Sequence, residues 1–299
     1  MRAKKMIFIS TSCFIQRSSV ISVLKEYAKQ GIKNIELGAS HKYEEGIIEF
    51  LKDYRKKYGA EFTLHGYFPP QKDSLIVNFA SQNEASREKS IAHVKNMIDL
   101  SKELGAKLCG FHAGFLVDTK QLGQKLDKAK RFDYEKGYGT FLSSVKEVCN
   151  YASIKSVKIA FEPNVVSSYN VIDGKNELLL MCEIKEIKRF YHDLEMSGIK
   201  NLGMILDLGH LKVTANNLKY DPVEFIETFK NNVLEIHIHD NDGFLDKHLQ
   251  LKKDSWALKM LKKVASKKII VTLEAEKLDL EKIASQFKLL SAALANENK

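Results

Sequence analysis

Cysteine and proline are both scarce, with four of each in 299 residues. Cys13, Cys109, Cys149 and Cys182 form no C-x-x-C pair and are too scattered for a disulfide scaffold, which points to a reducing, cytoplasmic compartment. No apolar run approaches the roughly 18 residues of a membrane span. The opening MRAKKMIFISTSCF offers only a four-residue apolar stretch after its basic residues, so a secretory signal is not expected. A nucleotide-binding glycine loop, a G-x-S-x-G nucleophile turn and a cysteine-pair zinc module are all missing, which removes three common catalytic plans. No Pro/Gly/Ser-rich linker, internal repeat or low-complexity segment divides the chain.

With 44% apolar and 28% charged residues, the chain can bury a large core, and residues 1–299 are expected to form one domain. Lys and Arg exceed Asp and Glu by nine, a balance that favours anionic partners. Most of the lysines fall on what read as solvated helix faces, as in LKDYRKKYG and LKMLKKVASKK, so nucleic acid is the lesser expectation.

Short β-rich runs alternate with stretches of helical spacing from one end to the other. The predicted strands are KMIFIST, IKNIELG, EFTLHGY, AKLCGFH, VKIAFEP, LGMILDLG, VLEIHIHD and KIIVTLEAE. Between them, Leu180, Ile184, Ile187, Tyr191 and Leu194 predict one helix stripe, and Phe141, Val145, Val148 and Ala152 another. Eight strand–helix pairs predict an α/β fold, a single (β/α)8 TIM barrel. The segments following predicted strands three to seven read as long loops, among them HLKVTANNLKYD, whereas those preceding strands are as short as KQG and MSG. In barrels the chemistry gathers where strand C-termini feed such loops.

Polar residues end the strands at that face: His65, His112, Glu162, Asp207, His237 with His239, and Glu274 close six consecutive predicted strands. Strand side chains alternate, so Thr63, Gly110, Ala160, Ile205, Glu235 and Thr272 share their inward face, while Leu64, Phe111, Phe161, Leu206, Ile236 and Leu273 point out to the helices. Three carboxylates and an imidazole, Glu162, Asp207, Glu274 and His237, then meet at one rim without a Lys or Arg to neutralise them, and a divalent cation is the natural counter-charge. His210, Asp246 and His248, read as loop residues, extend the candidate metal ligands to nine. His239 and His210 are candidate substrate contacts, with a place behind the ligands as the alternative for His239 and a wall role for Glu36. His41, His93 and His192 read as surface residues, and Arg17, Lys212 and Lys247 as cations that could meet a phosphate but are expected in solvent.

The stretch LHGYF followed by NFASQNEASREKSIAHVKNMIDLSKELGAKLCGFHAG, together with the ligand order, resembles the xylose isomerase-like superfamily, which holds both the sugar phosphate isomerases/epimerases and endonuclease IV. The endonuclease resemblance implies His65, His112 and Glu162 on one zinc, Glu162, Asp207, His237 and Glu274 on a second, and His210, Asp246 and His248 on a third. Two departures weaken that branch: PNVVSSYN follows Glu162, and Phe68 stands where the endonuclease pattern has Tyr. HIHDNDGFLDKHLQL is similar to the isomerase/epimerase segment, although KKD replaces the glycine-rich end usual there. The resemblance implies an isomerase or epimerase acting on a sugar or sugar phosphate, with Glu162 and Glu274 as the proton-transferring pair on opposite faces of the substrate. Its cofactor is a divalent metal, zinc foremost with manganese or cobalt as alternatives, in one to three ions. The alternative is a zinc-dependent abasic-site endonuclease. Formal charge separates the two. Glu162, Asp207, Asp246 and Glu274 against three dications leave +2, suited to a phosphate, whereas three carboxylates around one dication leave −1, suited to a neutral sugar.

Overall fold

Eight parallel strands close into a barrel in the computed structural model, which describes residues 6–16, 18–38, 41–264 and 269–295. The barrel strands are β1 (Met6–Ser10), β2 (Asn34–Leu37), β3 (Glu61–His65), β4 (Cys109–His112), β5 (Ile159–Glu162), β8 (Leu202–Asp207), β9 (Val233–Ile238) and β10 (Ile270–Leu273). A two-stranded antiparallel ribbon, β6 (Val171–Ile172) and β7 (Lys175–Asn176), lies in the loop after β5. The ring runs β1-β10-β9-β8-β5-β4-β3-β2, so each barrel strand pairs with its sequence neighbours and the first pairs with the last. The (β/α)8 barrel expected from the alternation is the observed fold.

Among the described residues there are nine α-helices: α1 (Val20–Lys29), α2 (Ile47–Tyr58), α3 (Glu84–Leu104), α4 (Tyr134–Lys155), α5 (Ile184–Met196), α6 (Leu208–Leu218), α7 (Pro222–Phe229), α8 (Trp256–Val264) and α9 (Leu280–Ala295). Their starts are written in the sequence as side-chain caps. Ser19, Asn83 and Asp133 each accept a hydrogen bond from the backbone N–H three residues on, satisfying a donor the first turn leaves free.

The outward positions Leu64, Phe111, Phe161, Leu206, Ile236 and Leu273 are buried in one continuous core between barrel and helices. Phe161, for example, meets Phe190 of α5 edge-on at 5.2 Å, and burying such a ring is worth about 1.5–3 kcal/mol. Inside the barrel a separate apolar plug of Phe8, Leu108, Ala160, Ile205 and Ile270 fills the N-terminal half. A β-bulge between β8 and β9 adds Leu234 to that plug, where it packs over Gly203. Gly110 is required at its level: a Cβ there would lie 2.2 Å from Ile205 Cδ1 and 3.0 Å from His65 Cδ2. The plug supports the polar groups above it and keeps water from reaching them from below.

Three expectations are corrected. The segment HLKVTANNLKYD is mostly helix, not loop, because Asp207 ends β8 and at once caps α6. His210 therefore stands on the first helical turn. Leu180 precedes α5 rather than continuing its stripe; its N–H bonds to Gly114 O at 3.1 Å, and the side chain is buried from the loop. His93 is buried, not at the surface, because it lies on the barrel-facing side of α3, 6.5 Å from the Tyr67 ring. Of the other two histidines, His192 is exposed, while His41 is half-buried with Nε2 2.7 Å from Thr11 Oγ1.

Candidate metal centre

Glu162, Asp207, His237 and Glu274 come from β5, β8, β9 and the residue after β10, four neighbouring strands of the ring, so adjacency in the sheet brings them together. His65 and His112, on β3 and β4, continue the arc. Glu162, fully buried, is the hub: its Oε2 lies 2.7 Å from His65 Nε2, 3.6 Å from His112 Nδ1 and 3.9 Å from His237 Nδ1, and its Oε1 lies 2.8 Å from His210 Nδ1. Glu274 closes the other side, with Oε2 3.2 Å from His237 Nδ1 and Oε1 4.0 Å from His65 Nδ1.

Asp207 divides its carboxylate between two jobs. Oδ1 accepts the His210 N–H at 2.7 Å as the cap of α6, and Oδ2 lies 3.0 Å from His239 Nε2. His239 is thus in hydrogen-bond contact with the Asp207 carboxylate. Gly209 leaves room for the ring, since a Cβ there would lie 2.2 Å from His239 Cε1.

Asp246 and His248 reach the rim from the loop between β9 and α8. That loop is tied down residue by residue. Lys212 Nζ meets Asp240 Oδ1 at 2.9 Å, Ser255 donates to Asp240 Oδ2, Asn241 Oδ1 accepts the Lys247 N–H, and Asp242 Oδ1 accepts the Phe244 and Leu245 N–H groups. Lys212 is thus an ion-paired brace rather than a solvent-facing cation. Lys247 pairs with Asp242 at 2.6 Å, and Arg17 lies outside the described residues. Past the loop, where KKD replaces a glycine-rich end, the Lys252 N–H bonds to Ser255 Oγ and Leu251 exchanges two hydrogen bonds with Gln286 of α9. Asp246 Oδ2 then sits between His210 Nε2 at 3.3 Å and His248 Nε2 at 3.2 Å. All nine candidate ligands meet at one end of the barrel.

Several of these donor atoms converge on one another without completing hydrogen bonds. His65 Nε2 and His210 Nδ1 approach Glu162 to hydrogen-bond distance, yet neither contact has hydrogen-bond alignment. Both oxygens of Glu162, His65 Nε2 and both nitrogens of His210 and His237 are buried without a hydrogen-bond partner. Buried polar atoms are normally paired, so lone pairs converging out of line mark a place for a charged ligand. Five overlapping groups satisfy the spacing: His65, His112 and Glu162; Glu162, Asp207 and His210; Asp207, His239 and Glu274; His210, His239, Asp246 and His248; and Glu36, His65, His237 and Glu274.

Titration follows the same charges. Burial pushes the Glu162 carboxyl up, but the fields of His112, His65 and His210 outweigh it and hold Glu162 well below the usual carboxylate range. Burial likewise opposes, and imidazoles overcome, in Asp207, Asp246 and Glu274, all held low. Against burial, Asp207, Asp246 and Glu162 carry His210 well above its ordinary value, and Glu36 and Glu274 do so for His237. Asp246 lifts His248 to about 10 despite its burial. Burial takes His112 down to about 4, against the opposing field of Glu162.

Above the ligands lies a cavity of about 270 Å3, whose walls include Tyr67, Phe115, Asn164, Tyr169 and Leu179. Sequence reasoning missed these wall residues. Asn164, in the PNVVSSYN segment, carried the only readable signal, a buried amide that ties the Gly114 and Leu180 carbonyls together.

The model of the xylose isomerase-like TIM barrel (AP endonuclease 2) matches residues 24–290. The chain belongs to this family. It is 28% identical over 251 residues to the uncharacterized protein MJ1614 of Methanocaldococcus jannaschii, covering 82% of this chain and 81% of that one. It is 22% identical over 247 residues to the fructoselysine 3-epimerase of Shigella flexneri, covering 79% and 77%. Among solved structures, a D-tagatose 3-epimerase-like protein superposes with a TM-score of 0.72 at 19% identity, over 98% of each chain. The IolI protein, solved with a bound zinc atom, superposes with a TM-score of 0.62 at 16% identity over 98% and 97%. Among the described residues no helix is long and apolar enough to cross a membrane.

Proposed function

We propose that this family member is a divalent-metal-dependent sugar isomerase or epimerase that moves a proton on a carbon beside a carbonyl. The reading rests on two carboxylates, Glu162 and Glu274, whose Oε2 atoms lie 3.9 and 3.2 Å from His237 Nδ1, with Glu274 lining the cavity of about 270 Å3. Glu162, Asp207, His237 and Glu274 would hold the cation, zinc foremost, with manganese or cobalt as alternatives. When bound, it supplies a Lewis acid for a ketose carbonyl and the neighbouring hydroxyl, acidifying the C–H between them.

The chain's own groups supply the rest. Of the two carboxylates, Glu162 and Glu274, one would accept the carbon-bound proton and the other return one. Asp207 is locked by its cap to His210, which keeps its Oδ2 fixed while substrate exchanges. In this reading the Asp246–His210–His248 group is a hydrogen-bonding wall, with His210 facing both the cavity and the ligands. Three carboxylates about one dication favour an uncharged sugar over its phosphate.

A panel of ketoses incubated with the metal-loaded protein in D2O tests this. Deuterium should enter the carbon beside the carbonyl of the substrates that are converted, and conversion without deuterium uptake would exclude proton transfer through an exchanging carboxylate. The abasic-site endonuclease reading keeps one observation in its favour: His210, Asp246, His248 and His239 form a further ligand group that a single cation would not use. Cleavage of abasic duplex DNA together with inert ketoses would favour it.

A further inference from the structure

Below the rim, the barrel interior carries a second polar level that the proposed reaction does not use. Glu36 and Glu235 are buried there, flanked by Thr63, Thr272 and Ser10 and resting on the apolar plug. The sheet register sets this level: Glu36 pairs across with Ser10 and Thr63, and Thr272 with His237. The Thr272 hydroxyl donates to Glu235 Oε1, an atom that also lies 3.8 Å from His237 Nε2, farther than Glu36. Neither oxygen of Glu36 has an aligned hydrogen-bond donor.

An ionised carboxylate with no donor inside a barrel costs several kcal/mol. Among the described residues, His237 Nε2 is the only basic side-chain atom within 4 Å of Glu36, 2.8 Å from its Oε2. That separation is a hydrogen-bond length, tighter than a tetrahedral cation between the two atoms would leave. The opposite edge of the same ring, Nδ1, faces Glu274 and Glu162. The imidazole thus has one edge towards the candidate cation and one towards Glu36, with neither nitrogen open to solvent.

We infer that Glu36 is a positioning residue for His237: it accepts the Nε2–H from below and thereby commits Nδ1 to the cation. This rests on the metal reading above. Without the acceptor, the ring would lose both its preferred tautomer and its orientation, and carboxylate partners of this kind are worth about 10–100-fold in metal affinity. The carboxylate also returns a negative charge to a ring that metal binding makes more acidic.

The test uses the full-length protein with 15N-labelled histidine, loaded with 113Cd2+. The expected result is a 113Cd–15N coupling to His237 Nδ1 and a proton retained on Nε2. In Glu36→Gln, cadmium affinity should fall tenfold or more and the tautomer should become mixed, with Glu36→Asp intermediate. Coupling to Nε2 in the unsubstituted protein, or unchanged affinity and tautomer in a folded Glu36→Gln protein, would overturn the inference and leave the metal reading standing. Unsubstituted protein that takes up no cadmium would overturn both. The coupling is measured on the unsubstituted protein, so it decides the matter even if Glu36→Gln fails to fold.

Discussion

Glu162→Gln should reduce turnover of any ketose substrate by about 10³-fold, within the range expected for loss of a positioned acid–base group, and should also weaken cation binding. The substitution preserves volume in a fully buried site but removes the one charge that faces His65, His112, His210 and His237 together. The neutral amide would offer one carbonyl oxygen where two carboxylate oxygens now serve. Steady-state kinetics and metal titration on the same preparation measure both effects. A variant that keeps full metal affinity but loses turnover would place Glu162 in proton transfer alone. Undiminished turnover would remove it from the mechanism.

The second large effect is an inversion of the pH dependence of stability by metal. In the metal-free protein, Glu162, Asp207, Asp246 and Glu274 have folded values below their unfolded ones, so their contribution is present above about pH 4 and lost as pH falls further. His65, His210, His237 and His248 are shifted the other way, so their contribution is complete below about pH 6.5 and fades as pH rises through the folded values, about 10 for His248. Both sets are satisfied between about pH 4.5 and 6.5, and chelated protein should be less stable at pH 9 than at pH 6. A bound cation requires the imidazoles to give up protons, so its stabilisation should grow over the same rise in pH. At 100 times Kd the gain is about 2.7 kcal/mol. Urea unfolding of chelated and loaded protein at pH 6 and 9 checks the sign, and a loaded protein that gains no more at pH 9 than at pH 6 would contradict it.

The barrel was legible because two periodicities agree at six of the eight strands: outward Leu64, Phe111, Phe161, Leu206, Ile236 and Leu273 alternate with inward residues that end in His, Glu or Asp. Side chains of that type at strand ends carry their own location, since closing the ring brings them to one rim. What stayed hidden depends on local competition or on long-range contact. Asp207 reads as a strand end and is simultaneously a helix cap, so α6 looked like a loop although its side-chain pattern is helical. Leu180 keeps helical spacing with Ile184 but is held by Gly114 across the barrel mouth. His93 is a polar residue on a buried helix face, and polarity alone puts it outside. Glu36 reads as a wall residue because its partner His237 is 201 positions away in the chain and meets it only through the closed barrel.

The central claim is a single cation serving proton transfer between Glu162 and Glu274. Elemental analysis of the purified protein after loading with zinc, manganese or cobalt and removal of the excess tests it most directly. One tightly retained divalent ion per chain is the predicted result; three retained zincs, the stoichiometry suited to phosphate esters, or none at all, would contradict it.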